Sequence, residues 1–342
     1  YGEKLRQEKF QVSQEEIRPY LPVTRVLPGL FEVVRRLCGV AIEEVEEFDR
    51  YHPDVRLFEI HRDGELIARF YLDLYARPNK RGGAWMDSAA NRARLGSLDR
   101  DPIAHLVCNF APPSANAPSY ITHTDVVTLF HEFGHSLHHL LTEIDWPSIA
   151  GINGVAWDAV ELPSQFLENF AWLPEVLRSI SAHRETGEPI PDQKIDTLIA
   201  SRTFHAGLAM LRQLEFALFD FRLHARTVPA TSAEVQDLLD AVRREVSVIE
   251  APEFNRFQCS FTHIFAGGYA AGYYSYKWAE VLAADAFAAF VENGALDPET
   301  AERFRNAILA VGGSRDAMES FIAFRGREPE LDALLRQTGI VE

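Results

Sequence analysis

A chain of 342 residues, 47% of them hydrophobic, can bury a sizeable core, and helical enzymes of this length often fold as one unit. Its 50 acidic residues outnumber 34 basic ones, and the formal charge of −16 argues against nucleic acid or anionic membrane as the main partner. Cys38, Cys108 and Cys259 are scattered and odd in number, which argues against a disulfide framework or a cysteine metal site.

No apolar run reaches the length of a membrane span, and a reducing, cytoplasmic compartment fits best. No signal peptide is visible at the start, and the chain begins at Tyr1 rather than Met, as a fragment or processed product would. Ser13 and Glu16, at capping-box spacing, open a helix over 13–19. Residues 27–49 read as helical, with a break at Pro28-Gly29 near their start. Val55 to Ile60, then Asp63-Gly64, then Leu66 to Tyr75 read as a β-hairpin over 55–76, the one strong strand signal. Asn79 to Ala84 form a basic, glycine-rich loop. Thr122 to Leu141 is a helix with Thr122 and Asp125 at capping spacing, and Val160 to Trp172 is a second. Helical patterns follow at 193–225, 231–249, 275–293, 298–311 and 328–337, with Pro and Gly clusters at 147–154 and 266–272. The expected fold is mainly α with a small β-sheet or hairpin, one region spanning 1–342.

His131 and His135 are four apart, which on a helix puts both imidazoles on one face, able to share one ion. Glu132 sits a quarter turn round, too far to join them as a ligand but placed to take a proton from an activated water. Val126, Val127, Leu129, Phe133 and Leu137 make the rest of this helix apolar, so unpaired polar groups there would be costly without a task. His138 lies about 10 Å further along the axis and reads as core or as support behind the site, and His139 as structural. A catalytic zinc takes three protein ligands and leaves a fourth position for water. Trp157 to Phe170 offers Asp158, Glu161 and Glu168 for the third, and spacing alone does not rank them.

Phe261 to Glu280 crowds Tyr269, Tyr273, Tyr274, Tyr276 and His263 beside Gly267, Gly268 and Gly272. Such donors can hold an oxyanion next to zinc. By composition alone an aromatic core patch is the simpler reading.

Together these stretches resemble the thimet oligopeptidase family of zinc metallopeptidases, and within it the bacterial oligopeptidase A branch. The likeness runs through Phe70–Arg77, Lys80–Asp87, Thr128 to His135, Trp157–Asn169, His263–Glu280 and Phe324–Pro329, nearly the whole chain. It implies a zincin-type catalytic domain with one zinc per chain on His131, His135 and Glu161, and Glu132 as general base. It implies Tyr269 and Tyr276 as transition-state donors, His263 assisting and Tyr273 lining the substrate site. Glu168 then supports the site from behind. It further implies that this is the C-terminal portion of a longer enzyme, whose N-terminal helical region completes a deep channel for short peptides. The expected activity is endopeptidase cleavage of oligopeptides, with the Phe70–Tyr75 hairpin offering a strand edge to the substrate. The rivals are a dipeptidyl carboxypeptidase, which needs a cation for the substrate's C-terminal carboxylate, and a non-catalytic peptide-binding zinc protein, for which Glu132 would be superfluous.

Overall fold

The computed structural model describes residues 1–10, 13–228 and 230–341. The first long helix is Val23–Cys38. Val23, Val26, Leu27, Leu30, Val33, Val34 and Leu37 recur at three- and four-residue intervals and are buried, so this helix forms around one apolar stripe. It ends at Gly39, whose φ of 66° lets its N–H reach the Arg35 carbonyl at 3.0 Å. The helix expected over 27–49 is thus corrected at both ends. Pro28 lies inside it, where burial of the stripe outweighs one lost backbone bond, and the residues after Gly39 turn into strand.

Seven strands follow: β1 (Ala41–Val45), β2 (Arg56–Arg62), β3 (Glu65–Tyr75), β4 (Trp85–Ala90), β5 (Ala93–Leu95), β6 (Leu98–Arg100) and β7 (Ile103–Phe110). Five of them make one sheet in the order β1-β2-β3-β7-β4, with only β3 and β7 parallel; β5 and β6 pair separately. The β2–β3 hairpin is the expected one. Asp63 and Gly64 turn it with φ of 54° and 83°, a left-handed pair whose twist matches the strands. The expected free edge at Phe70–Tyr75 does not exist, because β3 is paired with β2 on one side and β7 on the other. The edges are β1 and β4.

Helices cover the sheet. Phe58 stacks on Phe70 at 5.0 Å, and Phe70 meets Phe133 of the helix His123–Leu140 edge-on at 5.3 Å. The expected helix over 160–172 is Leu162–Glu168 continued by a 3₁₀ turn, and that over 193–225 is two helices, Asp192–Ala200 and Ala206–His224, parted at His205 with φ of 60°. Ser232–Val246 carries the Thr231–Glu234 capping box, and Ser275–Asn293 falls where the pattern put it. The 298–311 pattern becomes Pro298–Phe304 plus a π turn, and 328–337 shortens to Asp332–Gln337. A second apolar cluster joins Phe219, Leu239 and Val242 to Phe261, Ile264 and Tyr273, which anchors the tyrosine segment. Among the described residues, no helix is long and apolar enough to cross a membrane.

Candidate active site

The helix His123–Leu140 is fixed at its start by Thr122. Asp125 N–H donates to Thr122 Oγ1 at 3.1 Å, and Thr122 N–H donates to the Asp125 carboxylate at 2.8 Å. His131 and His135 follow on one face, with ring centroids 5.0 Å apart. Their Nε2 atoms lie 3.2 and 3.0 Å from the same oxygen, Glu161 Oε2.

Gly134 explains how Glu161 comes so near. A Cβ at this position would stand 2.4 Å from Pro163 O and 2.5 Å from Ser164 Cα. Without a side chain there, the helix Leu162–Glu168 meets the histidine helix backbone to backbone. Glu161, at the junction before it, is delivered to both imidazoles. Ser164 Oγ lies 2.8 Å from Glu161 Oε2, and Tyr269 donates its hydroxyl to Oε1 at 2.5 Å. Behind the site, Glu168 Oε1 is 2.7 Å from His131 Nδ1. That contact places the Nδ1 proton toward Glu168 and turns Nε2 toward the point it shares with His135 and Glu161.

His131, His135 and Glu161 bring one donor atom each within 4.8 Å of one another. Two imidazoles and a carboxylate form a donor set suited to a catalytic zinc, with one position left over. Asp158 is not in the cluster, and Glu168 touches the far side of His131 rather than the shared point. Burial opposes a charged His131, but Glu161 and Glu168 outweigh it and hold its proton affinity well above the usual histidine range. Burial likewise opposes charge on Glu161, yet His135 and His131 pull its carboxyl well below the ordinary value. Glu132 is 6% exposed. Burial raises its proton affinity, and the two imidazoles and a hydrogen bond from the Met86 backbone offset this only in part.

These residues open on a cleft of about 810 Å³, whose walls include Trp85, Met86, Glu132, Glu161, His263, Tyr269 and Tyr276. Tyr269 and Tyr276 stack at 4.9 Å, and Trp157 meets Tyr269 edge-on at 4.6 Å. Burial and the Glu161 charge push both tyrosine hydroxyls up, so they stay protonated donors. His263 rings lie 6.2 and 6.3 Å from Tyr276 and Tyr269; burial lowers its proton affinity. Tyr273 turns away from this cleft into an adjoining pocket of about 550 Å³ and donates to Gln213 Oε1 at 3.1 Å. His138 and His139 are buried core residues, His139 Nε2 meeting the Ala90 carbonyl at 2.9 Å.

Sequence reasoning passed over Asp220. This fully buried carboxylate accepts the N–H of Ala271 at 2.9 Å and of Tyr273 at 2.8 Å, with His224 Nδ1 2.8 Å away. It pins the tyrosine segment in place. Its signal was an acid on an apolar helix face with a histidine four residues on. It passed over Gln165 too, whose amide holds the Tyr276 carbonyl at 3.0 Å.

The profile of peptidase family M3 matches residues 1–340. The chain is 52% identical over 343 residues to oligopeptidase A of Escherichia coli (strain K12), covering 99% of this chain and 50% of that protein. It is 47% identical over 352 residues to the chloroplastic/mitochondrial organellar oligopeptidase A of Arabidopsis thaliana, covering 100% and 44%. To the dipeptidyl carboxypeptidase of Escherichia coli (strain K12) it is 36% identical over 345 residues, covering 99% and 50%. The chain spans about half the length of these relatives. Among solved structures, Pyrococcus furiosus carboxypeptidase shares the fold with a TM-score of 0.55 at 16% identity, over 94% of this chain and 59% of that one. PZ peptidase A shares it with a TM-score of 0.54 at 18% identity, over 79% and 43%.

Proposed function

The chain belongs to peptidase family M3, and from that premise we propose that it hydrolyses peptide bonds in short oligopeptides with one zinc ion per chain. The observation that carries this reading is the convergence of His131, His135 and Glu161 beside the buried carboxylate of Glu132 in an open cleft. Zinc, when bound by those three residues, supplies the Lewis acidity that lowers the pKa of a water and polarises the scissile carbonyl. Glu132 takes a proton from the attacking water and returns it to the leaving amine nitrogen. Tyr276 and Tyr269 donate to the carbonyl oxygen as its charge develops, Tyr269 exchanging its hydrogen bond to Glu161 for one to substrate. His263 assists from the cleft wall, and Tyr273, braced by Gln213, lines the neighbouring part of the substrate site. The peptide lies along β4, the sheet edge beside Glu132, in place of the interior hairpin strand.

Residues 1–342 act as one catalytic region, and a helical region preceding them in the longer enzyme completes the channel. In support, the apolar helix Ala206–His224 buries only Glu215, Phe219 and Asp220 and leaves Leu208, Leu214 and Phe221 exposed. The acidic, disulfide-free composition fits a cytoplasmic protein. The higher identity to oligopeptidase A favours endopeptidase over dipeptidyl carboxypeptidase cleavage. A purely structural metal site is disfavoured by Glu132, which such a site has no use for.

The test is metal analysis of the purified chain alongside cleavage of a quenched fluorescent peptide, with chelation and zinc readdition. The expected result is one zinc per chain and activity that is lost and regained with it. Glu132→Gln should retain zinc and lose about two or more powers of ten in turnover. Zinc retained with near-native turnover in Glu132→Gln would remove the proposed base.

A further inference from the structure

The loop between β3 and β4 is held at root and tip. At the root Lys80 is buried, its ammonium 2.9 Å from Asp73 Oδ1 and 3.0, 2.9 and 2.6 Å from the carbonyls of Asp73, Tyr75 and Cys108. At the tip Asn109 Nδ2 donates to the carbonyls of Arg81 and Gly83 at 2.8 and 2.6 Å. The backbone of Arg81 is thereby fixed, and its side chain is left exposed at the cleft. The guanidinium carbon stands 5.4 Å from the centre of the Trp85 ring, on the wall that also carries Met86 and Glu132. Among the described residues, no carboxylate ion-pairs with Arg81, although the chain has 50 acidic residues. His263 lines the same cleft, and there burial, with a smaller contribution from the Arg81 charge, opposes its protonation. An oriented planar guanidinium with open donors matches a carboxylate in both charge and shape.

The direction of the sheet says which part of a peptide reaches it. β4 runs antiparallel to β7, and among the described residues no strand pairs with its other edge. Antiparallel pairing is the commoner mode of strand addition. A peptide added that way passes Glu132 beside Met86 and carries its C-terminal residues past Trp85 toward Arg81. The geometry points to Arg81 as a specificity-determining residue that binds a carboxylate on the C-terminal side of the scissile bond. That carboxylate is the free C-terminus of a short peptide or an acidic side chain. The inference rests on the proposed peptidase reading and narrows its substrates to short peptides with negative charge after the cleaved bond.

Peptides of one core sequence separate the two sources. One has a free C-terminus, one is amidated, and two further amidated peptides carry Glu or Gln at the second residue after the bond. The native chain should prefer acid to neutral peptide by about tenfold in kcat/KM, mainly through KM. In Arg81→Gln that ratio should fall toward one, and in Arg81→Glu a Lys-bearing peptide should become the preferred one. The free-C-terminus pair and the Glu/Gln pair report which carboxylate is read. In parallel, titration calorimetry measures binding of reduced-bond, non-cleavable versions of the same peptides, whose ratios should follow the same order. Preference that is absent in the native chain, or that survives in Arg81→Gln, overturns the inference. A chain that cleaves all four peptides alike keeps the peptidase reading and loses the Arg81 receptor. A zinc-loaded chain that cleaves none, yet binds acid over neutral peptide only when Arg81 is present, loses the peptidase reading and keeps the receptor.

Discussion

His131 is bracketed by two acids, Glu161 at Nε2 and Glu168 at Nδ1. This is why spacing could not rank them: both lie on the face toward the histidine helix and both touch the same ring. The pair His131 and His135, and Glu132 between them, were legible from sequence because a four-residue helical repeat fixes their geometry without tertiary knowledge. Glu168→Gln keeps the side-chain shape but removes the negative acceptor. It should weaken zinc binding by about tenfold to a hundredfold, read by competition with a chromophoric chelator, while zinc at saturation restores turnover. Unaltered zinc affinity would mean that Glu168 does not orient His131. Tyr276→Phe removes one hydroxyl from a partly buried ring. Losing an oxyanion donor costs about 3 kcal/mol, roughly a hundredfold in turnover, with KM little changed. A lower melting temperature at unchanged turnover per folded molecule would instead make Tyr276 a packing residue.

At the scale of elements, two helices meet at Gly134, and opposite effects compete there. Helix propensity favours Ala over Gly by about 1 kcal/mol in a helix interior. Packing opposes it, because the new methyl would overlap Pro163 O and Ser164 Cα, which are backbone atoms unable to swing aside. Overpacking of this kind costs about 1–3 kcal/mol and wins. Gly134→Ala should therefore lower the melting temperature and weaken zinc binding together, since the displaced helix carries Glu161. A stabilised Gly134→Ala variant would show that the helices do not meet this closely. The same scale explains what the sequence hid. The Asp63-Gly64 turn and the Thr122–Asp125 capping box are local, and they stand where the pattern put them. β1 was absorbed into a helix because the five residues Ala41–Val45 carry no decisive period, and only pairing with β2 makes them extended. β4, β5 and β6 are short and rich in Ser, Asp, Arg and Ala, so they carry little strand signal of their own: β4 is held by β7, and β5 and β6 by each other. Asp220 escaped notice for a related reason: its partners, the Ala271 and Tyr273 amides, lie about fifty residues away.

Across the whole molecule, two remote regions are each fastened by a buried aspartate. On the sheet side Asp73 takes Arg77 at 2.6 Å and Lys80 at 2.9 Å. On the helical side Asp285, with no exposed surface, takes Arg325 at 3.0 Å, Arg327 at 2.6 Å and the Glu330 N–H at 2.8 Å. The second cluster ties the turn after Ala317–Arg325 to the tyrosine helix Ser275–Asn293. Burial raises the proton affinity of both carboxyls, but the hydrogen bonds and cations around them outweigh it and hold each below the ordinary 3.8 of an aspartate. A depressed folded value means that the unfolded chain binds the proton more readily than the native one. The stability these groups lend is therefore fully present above the unfolded value. It drains away as pH falls below about 4 and through the folded values. The melting temperature should hold between pH 7 and 5 and drop steeply below 4. Asp285→Asn removes the buried charge that Arg325 and Arg327 share, while each keeps a second, more exposed carboxylate partner, Glu292 and Glu330, so the change should cost about 1–3 kcal/mol at neutral pH. Because the native carboxyl is itself neutralised in acid, the gap in melting temperature between native chain and variant should narrow as pH falls from 5 to 3. A gap that stays constant across that range would show that Asp285 acts through shape and hydrogen bonding alone, and that its charge contributes nothing to holding the two helical elements together.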